Sequence, residues 1–161
     1  MGMPFNADEV FEMAEQMERD GAKFYRMAAE KFQAVRELLL ELAAMEDEHE
    51  KTFAAMRAEL SGTEAEPPVF DPDGQAQTYL RVMVEGRIFD VKTDPAQQLA
   101  GQDTPRDVLN MAIGMEKDSV VFYTGLRESV SRKAGKDKVE AIIKEEIGHI
   151  ATLNQKLQAL K

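Results

Sequence analysis

The chain has 161 residues, 43% of them hydrophobic and 31% charged, which suits one domain with a substantial core and excludes a disordered tail. A net charge of −10 disfavours binding to nucleic acid or to an anionic membrane surface, and no apolar run approaches the ~20 residues of a membrane span. Because there is no cysteine, disulfides, thiol catalysis, iron–sulfur clusters and cysteine-based zinc sites are excluded.

Residues 7–60 form a first helical block, since they contain no proline and a single glycine, Gly21. Asn6 and Glu9 have the spacing of a capping box, which predicts that the helix begins there. The block is too long for one straight helix in a domain of this size. We therefore expect the chain to fold back near Lys31–Val35, although neither glycine nor proline marks this turn.

Residues 61–103 differ in composition, because four prolines and four glycines interrupt regular structure there. Two segments can still be short helices. These are Gln75–Glu85, which has a small apolar face, and Pro95–Ala100. We interpret the whole stretch as a long surface connection that carries short helices.

The second helical block, 104–160, begins at Thr104 and Pro105, because threonine is a good N-cap and proline is favoured at the first helical position. We predict a helix that runs to about Arg132, a turn around Gly135, and a last helix that reaches the C-terminal end of the sequence.

Four long helices with two short turns and one long crossover between the second and third are typical of the ferritin-like four-helix bundle. The predicted fold is therefore all-α. We expect one domain over 1–161, with helical hairpins at 7–60 and 104–160 joined by the crossover 61–103.

The two blocks also repeat each other. Met17–Tyr25 (MERDGAKFY) aligns with Met115–Tyr123 (MEKDSVVFY) at an offset of 98 residues, and Glu46–His49 aligns with Glu146–His149 at an offset of 100. Because the offset hardly changes between the two matches, the same hairpin occurs twice. The sequence thus predicts a bundle with pseudo-twofold symmetry.

Each long helix has an apolar stripe at steps of three and four residues, and charged or histidine side chains interrupt every stripe at its middle. A buried unpaired carboxylate costs several kcal/mol or takes up a proton, and four of them also repel one another. Two divalent cations would balance four carboxylates, and a histidine three residues after a glutamate can reach the same ion. The interrupting residues are Glu18, Glu46, His49, Glu116, Glu146 and His149.

This pattern resembles the di-iron carboxylate site of ferritin-like proteins, and the Glu-x-x-Gly-x-x-Phe-Tyr sequence from Glu18 is most similar to the rubrerythrin group. The resemblance covers all four long helices. It implies a centre of two iron ions held by six side chains. One iron would be held by Glu18 and His49, the other by Glu116 and His149, and both would be bridged by Glu46 and Glu146.

Tyr25 and Tyr123 follow Glu18 and Glu116 by two helical turns. The resemblance implies that they hydrogen-bond to ligand carboxylates, and simple core packing is an equal alternative. Glu15 is a rival to Glu18, but its repeat equivalent is the apolar Ile113, so Glu18 is preferred. Three methionines adjacent to candidate ligands are expected to pack around them: Met17, Met45 and Met115.

Two features depart from typical rubrerythrins. Ser119 stands where these proteins have an additional glutamate, which puts in doubt the iron movement associated with that ligand. The cysteine-rich electron-donating module is absent, so the electrons would come from a separate protein or from ferrous iron itself. The small residues Gly21 and Ser119 would leave an open side for the oxidant.

The leading hypothesis is a di-iron oxidoreductase that reduces peroxide or oxygen and protects against oxidants. The alternatives are a ferroxidase or iron-storage protein and a non-enzymatic interaction protein stapled by metal, with zinc or manganese as possible replacements for iron. We expect a homodimer and no nucleic-acid or membrane partner. Met1–Asn6 lacks the features of a secretory signal, so we expect a cytoplasmic protein.

Overall fold

The computed structural model describes residues 6–60, 73–85 and 94–160. Residues 61–72 and 86–93 of the predicted crossover lie outside this part of the chain. The described helices pack as two hairpins, α1 on α2 and α5 on α6, and confirm the all-α four-helix bundle. In chain order the helices are α1 (Ala7–Lys31), α2 (Arg36–Ala58), α3 (Gln75–Glu85), α4 (Pro95–Ala100), α5 (Pro105–Ser129) and α6 (Lys136–Ala159).

The first hairpin begins and turns where the sequence predicts. The Glu9 amide donates to the Asn6 Oδ1 atom at 2.8 Å, and the Asn6 amide donates to the Glu9 carboxylate at 3.0 Å, which completes the capping box. A single turn of 3-10 helix, Gln33–Val35, separates α1 from α2. Phe32 and Val35 are buried there. Burial of two apolar side chains, rather than a glycine or proline, therefore fixes this turn.

The second hairpin begins with another capping box, formed by Thr104 and Asp107, with Pro105 at the first helical position. Its first helix ends earlier than predicted, at Ser129 rather than at about Arg132. The reason lies in the next residue. Val130 has an extended backbone, with φ −110° and ψ 143°, which ends the helix, and its side chain is buried in the core.

Gly135 immediately precedes α6 and has a φ of +108°, a left-handed conformation that favours glycine. The predicted turn around Gly135 is therefore present. A Cβ atom at this position would also lie 2.7 Å from the Met56 methyl group, so the closeness of α2 adds a second reason for glycine.

The short helices of the crossover pack against the bundle. Helix α3 contacts α5, where the Tyr79 hydroxyl donates to the Val121 carbonyl oxygen and the side chains of Leu80 and Met83 are buried. Helix α4 contacts α1 and buries Leu99. Both helices have the bounds that the sequence predicts.

Gly125 allows the close approach of α3 to α5, because a Cβ atom there would overlap the Tyr79 ring. We expect Gly125→Ala to displace α3 and to lower the free energy of unfolding by about 1–3 kcal/mol, as overpacking does elsewhere. Urea denaturation measures this change. Gly114→Ala is the matched control, since Gly114 is on the same helix and a Cβ atom added there would meet no described atom within 4 Å. It should stabilise the protein by about 0.5–1 kcal/mol. Equal effects of the two changes would contradict the prediction.

The hydrophobic core of the described residues is divided into two clusters. One contains Phe11, Phe53 and Leu126, and the other contains Leu39 and Leu109. On every long helix a short segment with buried polar side chains lies between the residues of the two clusters. Among the helices described, none has both the length and the apolar character needed to cross a membrane.

Candidate metal centre

The structure brings the six sequence-predicted site residues together in the polar layer between the two core clusters. Helices α1 and α5 each supply one glutamate, whereas α2 and α6 each supply a glutamate and a histidine one turn later. All six are buried, with exposed fractions of 5% or less: Glu18, Glu46, His49, Glu116, Glu146 and His149.

These side chains form two overlapping groups, each with three glutamates and one histidine. Within each group, one nitrogen or oxygen atom from every residue lies within 4.8 Å of those of the others. Two glutamates, Glu46 and Glu146, belong to both groups. We name the groups after their unshared glutamates. The Glu18 set contains Glu18, Glu46, His49 and Glu146, and the Glu116 set contains Glu46, Glu116, Glu146 and His149.

Both imidazoles direct their Nδ1 atoms at the carboxylates. His49 Nδ1 lies 2.8 Å from Glu146 Oε1 and 3.6 Å from Glu18 Oε2. His149 Nδ1 lies 3.5 Å from Glu46 Oε1 and 3.5 Å from Glu116 Oε1. The rings are stacked with their centroids 5.7 Å apart. The two halves of the cluster thus face each other across a short distance.

Seven buried side-chain atoms of the described residues lack a hydrogen bond of good geometry, although some lie close to one another, and all seven belong to this cluster. Buried polar atoms are normally paired, so this concentration requires a missing partner. Ligand atoms around one ion at about 2.1 Å are at most about 4.2 Å apart, so the observed spacing needs only small adjustments. Carboxylate and imidazole donors suit iron, manganese and zinc, and the residues therefore fit a pair of such ions.

Two buried tyrosines hold carboxylates of the opposite hairpin. The Tyr25 hydroxyl on α1 donates to Glu116 Oε1 on α5, and the Tyr123 hydroxyl on α5 donates to Glu18 Oε1 on α1. Burial, reinforced by the adjacent carboxylates, raises the pKa of both tyrosines well above 10.0, so they remain donors. Both rings also pack in the core, against Phe24 and Phe122. Packing and hydrogen bonding therefore occur together.

The pKa values show how unfavourable the cluster is for negative charge. Burial and the neighbouring carboxylates raise the pKa of Glu18 and Glu146 well above 4.5. Burial also acts to raise the pKa of Glu116, but the close approach of Glu146 and His149 outweighs it and lowers that pKa. Burial lowers the pKa of His149, yet the carboxylates of Glu116 and Glu46, each 3.5 Å from its Nδ1 atom, raise it to about 9. In the absence of a bound metal ion, the raised pKa values therefore favour protonation of these side chains.

A further residue at the site, Glu145, was not identified from the sequence. Its Oε2 atom lies 2.7 Å from His49 Nε2, on the side of the ring away from the cluster. Glu145 directly precedes Glu146, but its repeat equivalent is Met45, so the repeat gave no signal for it. Only the pairing of α2 with α6 reveals this contact.

The structure also tests the expectations for Glu15 and for the three methionines next to candidate ligands. Glu15, the rival of Glu18, accepts a hydrogen bond from Arg57 at 3.2 Å and does not join either set. Met17 and Met115 pack against the core clusters as expected, whereas the expectation for Met45 was wrong, because it is 38% exposed.

Comparison with known proteins agrees with this geometry. The rubrerythrin family model matches residues 9–90, which is half of the chain. A crystal structure from Thermotoga maritima, provisionally assigned as a ferritin-like diiron-carboxylate protein, superposes with a TM-score of 0.74 at 25% identity and covers 98% of both chains. A search of curated proteins gives no significant match. With its bundle, its duplicated Glu-x-x-His pattern and its matched sequence, the chain belongs to the rubrerythrin family and has the ferritin-like fold.

Proposed function

We propose that this protein is a di-iron oxidoreductase that reduces hydrogen peroxide or oxygen at the Glu/His cluster. The observation that carries the proposal is the convergence of seven unpartnered buried nitrogen and oxygen atoms, among the described residues, on one layer of the bundle. Family membership and the fold support a di-iron centre of this type.

In this proposal each set holds one iron. Glu18 and His49 serve the first ion and Glu116 and His149 the second, while Glu46 and Glu146 are shared because they belong to both sets. Oxygen ligands accommodate both Fe(II) and Fe(III), and the positive charge removes the repulsion that otherwise raises the carboxylate pKa values.

Two Fe(II) ions held by these residues would supply two electrons on becoming Fe(III), enough with two protons to reduce one hydrogen peroxide to two waters. The protein's own side chains hold the ligands and limit access of water. The two tyrosine hydroxyls fix Glu18 and Glu116, and the apolar clusters cover both ends of the site. Gly21 leaves room beside the shared carboxylate, since even a Cβ atom there would lie 3.6 Å from Glu46 Oε2.

The electrons that restore Fe(II) come from a separate donor protein in this proposal. The sequence has no cysteine with which to bind a rubredoxin-type iron or an iron–sulfur cluster. A homodimer is also part of the proposal, carried over from the family resemblance.

The test begins with metal-free protein loaded anaerobically with Fe(II). We expect two retained ions per chain, rapid oxidation by one equivalent of hydrogen peroxide, and repeated cycles with iron retained when a reductant such as ascorbate is supplied. Metal analysis and the remaining Fe(II) measure these steps. Glu46→Gln should abolish them, because Glu46 belongs to both sets. Glu15→Gln is the control, since Glu15 lies outside both sets.

The alternatives give different results in the same experiment. Oxidation limited by added Fe(II), with iron leaving the site and accumulating as mineral, would indicate a ferroxidase or storage protein. Stable binding of zinc or manganese without oxidation of bound Fe(II) would indicate a metal-stapled helical protein. Either result contradicts the proposed oxidoreductase.

A further inference from the structure

The two imidazoles of the cluster differ on their outer sides. His49 Nε2 lies 2.7 Å from Glu145 Oε2, and the Glu145 side chain is 53% exposed, so a carboxyl group contacts this ring from the solvent side. His149 Nε2 is buried and has no hydrogen-bond partner among the described residues. The residue equivalent to Glu145 in the other half is Met45, which cannot accept a strong hydrogen bond.

The two sets match in composition and in the tyrosine that holds each unshared glutamate. Each contains three glutamates and one histidine, and each has its unshared glutamate hydrogen-bonded by a tyrosine of the opposite hairpin. The shared carboxylates of Glu46 and Glu146 are common to both. Glu145 therefore contacts a member of the Glu18 set, and the Glu116 set has no equivalent contact.

This difference has a direct effect on cation binding. An ion at Nδ1 requires the ring proton to be on Nε2, because a neutral imidazole carries only one proton. At His49, Glu145 Oε2 lies 2.7 Å from Nε2 and would accept that proton's hydrogen bond, which would fix the tautomer and make Nδ1 a better donor to metal. At His149 the same N–H would be buried without an acceptor among the described residues, which is unfavourable.

Resting on the proposed function, we infer that the two ion positions are unequal. The Glu18 set binds a divalent cation more tightly and fills first, with Glu145 as the positioning residue for His49. The Glu116 set binds more weakly and is the position from which an ion exchanges. Outer carboxylate partners of ligand histidines change metal affinity by about 10- to 100-fold, so we expect a difference of this size between the two positions.

Anaerobic titration with Co(II), followed by its visible absorption and by calorimetry, tests the inference without any turnover. The wild type should bind in two steps whose dissociation constants differ by about 10- to 100-fold. Glu145→Ala should weaken the tighter step by about the same factor, and Glu145→Gln should do so less, since an amide oxygen still accepts a hydrogen bond. Glu140→Ala is the matched control, because Glu140 is a similarly exposed glutamate on α6 that pairs with Lys144.

Two histidine variants assign the effect to a position. In His149→Ala, where His49 remains, adding Glu145→Ala should weaken Co(II) binding further. In His49→Ala, adding Glu145→Ala should change nothing, because the partner of Glu145 is gone. Helical circular dichroism of each metal-free variant verifies that it is folded.

Two equal binding steps in the wild type would overturn the inference, and so would unchanged affinities in Glu145→Ala or an effect that persists in His49→Ala. These results would leave the proposed di-metal function intact. Absence of Co(II) and Fe(II) binding by the folded wild type would instead overturn the proposed function, and the inference with it.

Discussion

Glu146→Gln is expected to abolish paired metal binding without destabilising the metal-free protein. Glu146 is completely buried and belongs to both sets, so the substitution removes a charged ligand from each ion position. Loss of an outer partner alone weakens binding by about 10- to 100-fold, and we expect loss of this shared ligand to weaken both steps by more than about 100-fold.

Without metal, the Glu146→Gln variant should be at least as stable to unfolding as the wild type. Burial and the adjacent carboxylates raise the pKa of Glu146 well above 4.5, so at low pH the side chain is held protonated and glutamine resembles it in shape and charge. At higher pH the wild type must bury a negative charge there, whereas the variant does not. Urea denaturation in the presence of a chelator, with metal analysis in parallel, measures both effects.

Glu15→Gln is the matched control for this experiment, since Glu15 is a partly buried glutamate of α1 that pairs with Arg57 outside the cluster. It should bind two ions with wild-type affinity and lose at most about 1 kcal/mol of stability. Wild-type affinity in Glu146→Gln would contradict the ligand assignment. A large loss of metal-free stability in that variant would contradict our account of the buried charge.

The metal-free protein should become less stable as pH rises from about 5 to 9. A group whose pKa is higher in the folded than in the unfolded state binds more protons when folded, so its contribution is lost as pH rises through the folded value. Glu18 and Glu146 are raised well above 4.5 and His149 is raised from 6.5 to about 9, so all three act in this direction. For His149 alone the loss is on the order of 3 kcal/mol.

The lowered pKa of Glu116 acts in the opposite direction and at lower pH. Its contribution is present above 4.5 and is lost only as pH falls below that value. The two buried tyrosines have pKa values raised above 10.0 and so do not titrate in this range. Metal-free stability should therefore be greatest in mildly acidic solution.

Bound cations should reverse this trend, because metal replaces protons on the carboxylates and on the imidazole. As pH rises, fewer protons compete, affinity increases, and an ion present at 100 times its dissociation constant adds about 2.7 kcal/mol. Denaturation at pH 5, 7 and 9, with a chelator and with Co(II), measures both slopes. Metal-free stability that rises between pH 5 and 9 would contradict the prediction.

The fold could be predicted from local signals, and the exceptions have local causes. The capping residues Asn6 and Thr104 predicted where two of the long helices begin. The apolar spacing predicted the four long helices, and the proline-rich stretch between them predicted the crossover of the bundle. The end of α5 at Ser129 was missed because Val130 continues the apolar spacing of Tyr123 and Leu126 and no glycine or proline follows before Arg132, whereas the backbone of Val130 is extended.

The composition of the cluster could be predicted because polar residues interrupt apolar stripes at repeated positions. The crossed tyrosine bonds, from Tyr25 to Glu116 and from Tyr123 to Glu18, depend on how α1 faces α5 and could not be assigned from spacing. Glu145 could not be found because its repeat equivalent is not acidic and because its half-exposed side chain does not interrupt a buried apolar stripe.

Each hairpin contributes three members to one set and a single shared glutamate to the other. Two identical copies of one such half, assembled about a twofold axis, would therefore already contain everything that both cation positions need. Neither hairpin of the present chain completes a set alone, because each set needs the shared glutamate of the other hairpin.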